Sequence, residues 1–166
     1  MNKSIVLNQR QIHQKIERIA YQIQENTFEE ATVFVGGISG NGFLLAERIV
    51  QKLIEISVNQ DIRLFEITVK KDDPLDEKIK LSIDDNDLSN STVILIDDVI
   101  NSGRTMIHAV RRILENKISV LKVATLVNRT HRRYPVQADF VGMNISTTIA
   151  NKIVVELGSN EAAYLE

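Results

Sequence analysis

The chain has 166 residues, 43% hydrophobic and 25% charged, with a formal net charge of −2 and no cysteine. Length and composition predict one domain, residues 1–166, with an ordinary core. The charge argues against bulk electrostatic coating of nucleic acid, and the lack of cysteine excludes a disulfide framework and a thiolate metal site. No apolar stretch approaches the ~20 residues needed to span a bilayer. Ile5-Val6-Leu7 is too short for a secretory signal. The expectation is a soluble, cytoplasmic protein with no membrane contact.

Residues 8–25 read as an amphipathic helix, with Ile12, Ile16, Ile19 and Ile23 at helical spacing. Thr32 to Val35 is a short buried strand that runs into a glycine loop, residues 36–42. A helical pattern follows from about Phe43 to Ile56. Residues 62–69 predict a second strand. Residues 70–90 are polar, contain Pro74 and several Asp, and read as an exposed excursion. Val93 to Ile96 is a buried strand, and a helical pattern runs from Arg104 to Asn116. Val120 to Val127 is a further strand, followed by a basic, irregular segment at 128–135. Phe140 to Gly142 and Ile153 to Leu157 look like short closing strands. Strands alternating with helices imply βαβ units, a parallel sheet, and helices on both faces.

The most informative stretch is Val93-Ile94-Leu95-Ile96-Asp97-Asp98-Val99-Ile100-Asn101-Ser102-Gly103-Arg104-Thr105. An apolar run suits a strand covered on both faces. It leads into two carboxylates and a small-residue turn that opens a helix. Ligands of open α/β sheets sit beyond the carboxyl ends of such strands. Backbone N–H groups at a helix start favour an anion. The adjacent acids suit sugar hydroxyls or a metal. Together these features point to a sugar phosphate held at both ends. The bland alternative is a strand–turn–helix connection whose Asp residues only cap the helix.

This stretch resembles the signature of the type I phosphoribosyltransferases for 5-phosphoribosyl-1-pyrophosphate (PRPP), with Ser102 in place of the more usual Thr. The resemblance implies an α/β fold: a parallel sheet flanked by helices on both faces, with a small hood built from the chain ends. It implies a glycosyltransferase of the pentosyltransferase kind. Asp97 and Asp98 would be the catalytic pair, accepting ribose hydroxyls directly or through Mg²⁺ and water. Val99, Asn101, Ser102, Gly103, Arg104 and Thr105 would form the 5′-phosphate loop, and Arg104 can point away from the ligand. Mg²⁺ would be carried mainly by PRPP oxygens, as a hard cation prefers.

Four of the seven glycines fall within residues 36–42. The spacing is not that of a dinucleotide fingerprint and there is no P-loop Lys. By resemblance this is the pyrophosphate loop, with Ser39 and Gly40 at a position that often carries a non-proline cis peptide. Related chains offer Arg where this one has Asn41. Lys71 matches a basic position before a mobile loop, here Asp72 to Asp87, that would close over PRPP.

The segment Val127-Asn128-Arg129-Thr130-His131-Arg132-Arg133-Tyr134-Pro135 and the later Ala138-Asp139-Phe140-Val141-Gly142-Met143-Asn144-Ile145 are similar to the pyrimidine-operon attenuation regulators within that family. That likeness implies uracil and PRPP as substrates, UMP as product and effector, mRNA as a partner, and a homo-oligomer, dimer or tetramer. Arg129, His131 and Arg132 would be the base or RNA contacts. Departures from the regulators' pattern are Asn128, Thr130, Met143 and Ile149. Asn101 has no basic site near neutral pH and stands where purine-salvage members carry an Asp, which disfavours purines. Phe140 is a candidate to stack on the base and equally a core residue. His13 and His108 read as ordinary helix positions, and the three His residues make no metal motif. Other readings stay open: a non-catalytic nucleotide-sensing RNA-binding regulator, or a phosphoribosyltransferase for another base.

Overall fold

The computed structural model describes residues 3–146 and 152–166; Ile149 lies outside them. Strand β1 (Ser4–Asn8) leads directly into helix α1 (Gln9–Thr27). The turn between them is a capping box. Gln11 N donates to Asn8 Oδ1 and Asn8 N donates to Gln11 Oε1, both at 2.9 Å, which satisfies two groups that a helix start leaves orphaned. The predicted isoleucine stripe of α1 is buried.

Strand β2 (Thr32–Ile38) and helix α2 (Asn41–Ile56) follow, then β3 (Asp61–Thr68), β4 (Lys80–Leu81), a 3-10 turn at Asp85–Leu88, and β5 (Thr92–Ile100). Helix α3 (Arg104–Ile113), β6 (Val120–Arg129), β7 (Phe140–Ile145), β8 (Ile153–Glu156) and β9 (Ala162–Leu165) complete the order. Six strands form the main sheet in the order β4-β3-β2-β5-β6-β7. All its pairings are parallel except β4 with β3, so the expected parallel sheet carries one short antiparallel edge.

The helices lie on both faces. Val33, Val35, Ile94, Ile96 and Ala124 pack with the apolar faces of α1 and α2. Phe34, Val93, Leu95 and Val123 point the other way, to Met106, Ala109 and Ile113 of α3. Every residue of β5 is buried, which is why its apolar run is continuous rather than alternating. Phe140 belongs to the core cluster under α1 and α2, so the core reading holds and stacking on a base does not.

Some boundaries differ from expectation. Strand β2 continues through Gly36 and Gly37 to Ile38, and close packing keeps position 37 a glycine: an added side chain there would strike Phe43 Cα at 2.7 Å. The excursion at 70–90 is not all loop. Ile79 and Leu88 are buried against the α3 side of the sheet, so the free stretch is nearer 71–78 than the expected 72–87. Helix α3 stops at Ile113, three residues short, in a tightened turn where Asn116 N donates to Ile113 O.

The hood is a separate three-stranded antiparallel sheet, β1-β9-β8, so both ends of the described chain contribute to it.

Candidate active site

Strand β2 feeds α2 on one face of the sheet, and its neighbour β5 feeds α3 on the other. That divergence is a topological switch point, where a crevice opens at the strand ends. Pairing between β2 and β5 stops at Gly37↔Ile96, while β5 stays paired with β6 as far as Ile100. The acids at 97 and 98 therefore lie within the strand rather than ending it, on the side that β2 has vacated.

An open cleft of about 220 Å³ occupies this crevice, lined by Asn41, Lys71, residues 97–106 and residues 152–155. Asp97 and Asp98 are 4% and 8% exposed. Asp98 N donates to Asp97 Oδ1 at 3.0 Å. Burial pushes the Asp97 carboxyl well above the usual carboxylate range; Asp98 adds to the rise and Lys71 opposes it. Such a perturbed carboxylate in a cleft is a functional-site signature. Gly42, in the first turn of α2, has no room for a side chain: a Cβ there would meet Asp97 Oδ1 at 2.8 Å.

The signature loop turns through Gly103, whose φ of 86° is left-handed and suits glycine alone. Helix α3 starts at the next residue, so its first turn, which leaves N–H groups without intrahelical partners, lines the crevice. Ser102 Oγ accepts from Arg104 N at 3.3 Å. The back of the loop is braced by the segment after β6. The Arg132 guanidinium donates to the carbonyls of Ile100 (2.9 Å), Asn101 (2.8 Å) and Val136 (3.0 Å), and to the Asn128 side chain. Arg133 N and Tyr134 N both donate to Ser102 O at 3.0 Å.

The structure thus brings Asn41, Lys71, Asp97, Asp98, Val99, Asn101, Ser102, Gly103, Arg104 and Thr105 to one cavity. Ser39 and Gly40 do not line it. Ser39 N is tied to Ile67 O at 2.9 Å, and the expected cis peptide is absent: all peptide bonds among the described residues are trans. Arg129 donates to Asn101 Oδ1 at 3.2 Å, and Arg132 is committed to the loop backbone, so both stand behind the 101–105 loop. His131 is exposed. Arg104 points out of the cavity, to Asp72 O (3.3 Å) and the Asp73 carboxylate (3.8 Å).

A family model for the phosphoribosyl transferase domain matches residues 2–162. The chain belongs to the phosphoribosyltransferase family. It is 34% identical over 163 residues to the Bifunctional protein PyrR of Macrococcus caseolyticus, covering 95% of this chain and 93% of that one. It is 36% identical to the PyrR of Streptococcus sanguinis, covering 88% and 86%. Among solved structures it is similar to a hypoxanthine-guanine phosphoribosyltransferase of Bacillus anthracis, with a TM-score of 0.73, 23% identity, and 93% and 88% of the two chains covered. The hypoxanthine phosphoribosyltransferase of Trypanosoma cruzi in complex with IMP gives a TM-score of 0.74 at 17% identity, covering 92% and 83%. These structural likenesses establish the type I phosphoribosyltransferase fold.

Sequence reasoning missed the hood side of this cavity. Lys152 and residues 153–155 wall the cavity opposite the signature loop. Ile153 to Leu157 was legible as a strand; nothing in it announced which cavity it would close.

Among the described residues no cluster of three or more His, Cys, Asp or Glu could cage a metal. Two adjacent carboxylates do fit a hard cation that brings most of its oxygen ligands from a phosphorylated substrate. No helix among the described residues is long and apolar enough to cross a membrane.

Proposed function

We propose that the protein transfers the phosphoribosyl group of PRPP to uracil, giving UMP and pyrophosphate. The observation that carries this reading is the buried Asp97–Asp98 pair facing the Gly103 loop across one cavity. The bond from ribose C1 to pyrophosphate oxygen breaks, and its electron pair leaves with pyrophosphate. The base nitrogen bonds to C1 and gives up its proton to solvent water. The transition state has oxocarbenium character, as in other glycosyl transfers.

In this reading the backbone N–H groups at 101–105, with the Ser102 and Thr105 hydroxyls, hold the 5′-phosphate. Asp97 and Asp98 accept from the ribose hydroxyls, and their charge stabilises the positive ring. Lys71, on the loop beside them, meets the departing pyrophosphate. Asp97 and Asp98, together with PRPP oxygens, would hold Mg²⁺, which would supply charge neutralisation on the pyrophosphate. Asn101 cannot act as a base toward a purine ring, which together with the PyrR likeness favours uracil.

A steady-state assay with uracil, PRPP and Mg²⁺ tests the reading, with hypoxanthine and guanine as competitors. UMP formation is the expected result. Failure to form UMP at saturating PRPP would overturn it.

The relatives are named bifunctional, and the exposed His131 and Arg133 favour a second activity on RNA under the control of uridine nucleotides. Binding to a pyrimidine-gene leader RNA should weaken steeply with salt and respond to UMP. Self-association as a dimer or tetramer belongs to the same reading, and light scattering decides it.

A further inference from the structure

We propose that Asn41 is a positioning residue that fastens the hood to the pyrophosphate-side loop, so that filling that loop sets the wall at 152–155, the side of the cavity left for the nucleobase once the 101–105 loop and Lys71 are taken. The proposal rests on the PRPP reading above.

Asn41 is the first residue of α2 and lines the cavity. Its side chain does not wait for an anion. Nδ2 donates to Val155 O on β8 at 2.7 Å. Strand β8 is the outer strand of the hood sheet, and an outer strand turns half of its backbone groups away from its one neighbour. Val155 is 2% exposed, so water cannot serve its carbonyl freely. A buried carbonyl needs a partner, and the Asn41 amide is that partner.

A second contact follows on the same helix. Arg48 Nη1 meets Glu161 Oε1 at 2.5 Å, and the Glu161 side chain is only 9% exposed. Glu161 immediately precedes β9. Helix α2 therefore carries the hood at two points, and the one at Asn41 lies inside the cavity. The backbone N–H of Asn41 opens α2, where an anion is favoured, while its side chain holds the wall at 153–155. One residue joins the two halves of the site. The cationic help for pyrophosphate then falls to Lys71 rather than to position 41.

The test uses the full chain and three variants. Asn41→Asp keeps the shape and loses the donor; Asn41→Ala loses both; Asn41→Gln keeps a donor on a longer arm. Hydrogen exchange without ligand reads the fastening directly. In Asn41→Asp and Asn41→Ala, amides of residues 153–157 should exchange about five- to tenfold faster than in the wild type, the size of one lost hydrogen bond. Amides of α1 and β5 should be unchanged, and Asn41→Gln should restore part of the protection. The ligand arm rests on Asn41→Ala alone, because Asn41→Asp adds a charge that repels pyrophosphate: with PRPP–Mg²⁺ bound, Asn41→Ala should show a uracil KM raised about tenfold and a clearly smaller loss of PRPP affinity. Exchange in Asn41→Asp that matches the wild type overturns the proposal. So does a loss in Asn41→Ala that falls equally on PRPP and uracil. A wild-type protein that does not bind PRPP sinks the functional reading, and the ligand-free exchange still decides whether Asn41 holds the hood.

Discussion

Lys71 Nζ lies 3.6 Å from Asp97 Oδ1, a half-exposed cation leaning on a carboxylate almost sealed from water. The cation does not cancel the burial, because the Asp97 pKa remains raised. A folded-state pKa above the unfolded value stabilises the fold below the ordinary carboxylate pKa, and that contribution is lost as pH rises through the raised value. Asp97 thus destabilises the ligand-free protein at neutral and alkaline pH. Asp97→Asn should raise the melting temperature at pH 8 by ~3 °C, the effect of ~1 kcal/mol in a chain of this size. The gain should shrink toward pH 4, and transferase activity should fall by at least ~100-fold. Thermal melts at several pH values, paired with the UMP assay, check both.

Gly42 gives the same carboxylate its room. Gly42→Ala places a methyl 2.8 Å from Asp97 Oδ1 and 3.2 Å from Asp97 Cα. Either the carboxylate or the start of α2 must shift. The expected outcome is a loss of PRPP affinity of tenfold or more with a stability loss of about 1–3 kcal/mol, the usual range for overpacking. Calorimetric titration with PRPP–Mg²⁺ and a denaturant curve separate the two effects.

Arg132 holds three backbone carbonyls in different directions, which a planar guanidinium can do and an ammonium cannot. Arg132→Lys should cost about 1–3 kcal/mol and weaken UMP and PRPP alike through a loosened 101–105 loop. Any drop in RNA binding by this variant should track the loss of nucleotide affinity. Arg133→Ala should instead leave nucleotide affinity unchanged. Titrations with UMP and with RNA on both variants provide the comparison.

At the far end of the excursion, the buried Arg112 side chain donates to Ile79 O at 3.1 Å and to Asp85 Oδ2 at 2.8 Å. The Arg112 hydrogen bond holds the Asp85 carboxyl below its usual range. The linkage therefore has the opposite sign to that of Asp97. Its contribution is present above the ordinary carboxylate pKa and lost as pH falls through the lowered one. Asp85 is half-exposed, so Asp85→Asn should cost only ~0.5 kcal/mol at pH 7 and nothing at strongly acid pH. Arg112→Met should cost about 1–3 kcal/mol and increase proteolysis within residues 71–88. Limited proteolysis and thermal melts at pH 3 and pH 7 read the contrast.

The signature strand was legible because hydrophobicity, paired acids, glycine and hydroxyls coincide in one short run, each for a local reason. The isoleucine stripe of α1 was legible for the same kind of reason. The role of Arg132 was not: as a sequence symbol it reads as an exposed basic contact, and only folding shows that its partners are main-chain carbonyls. Asn41 was noticed for the cation it lacks, while its partner, Val155, is brought near only by the hood. Strand β9, Ala-Ala-Tyr-Leu, carries too little alternation to announce itself. Ile79 and Leu88 hid in a stretch dominated by charged residues, where Leu75, Ile79, Leu81, Ile83 and Leu88 share no sustained period.

The pairing of Ser4 with Leu165 joins positions from opposite ends of the described chain. Closing so wide a loop is entropically slow, and contacts of long sequence separation form late in folding. The sheet of β2, β3, β5 and β6 can consolidate around its own core first, with the β1–β9 zipper following. A nascent polypeptide emerging from the ribosome would hold its 101–105 loop well before it held the wall at 153–155. Competence for the reaction would then arrive as the final step of maturation, and a protease clipping β9 would silence the protein while leaving its interior intact.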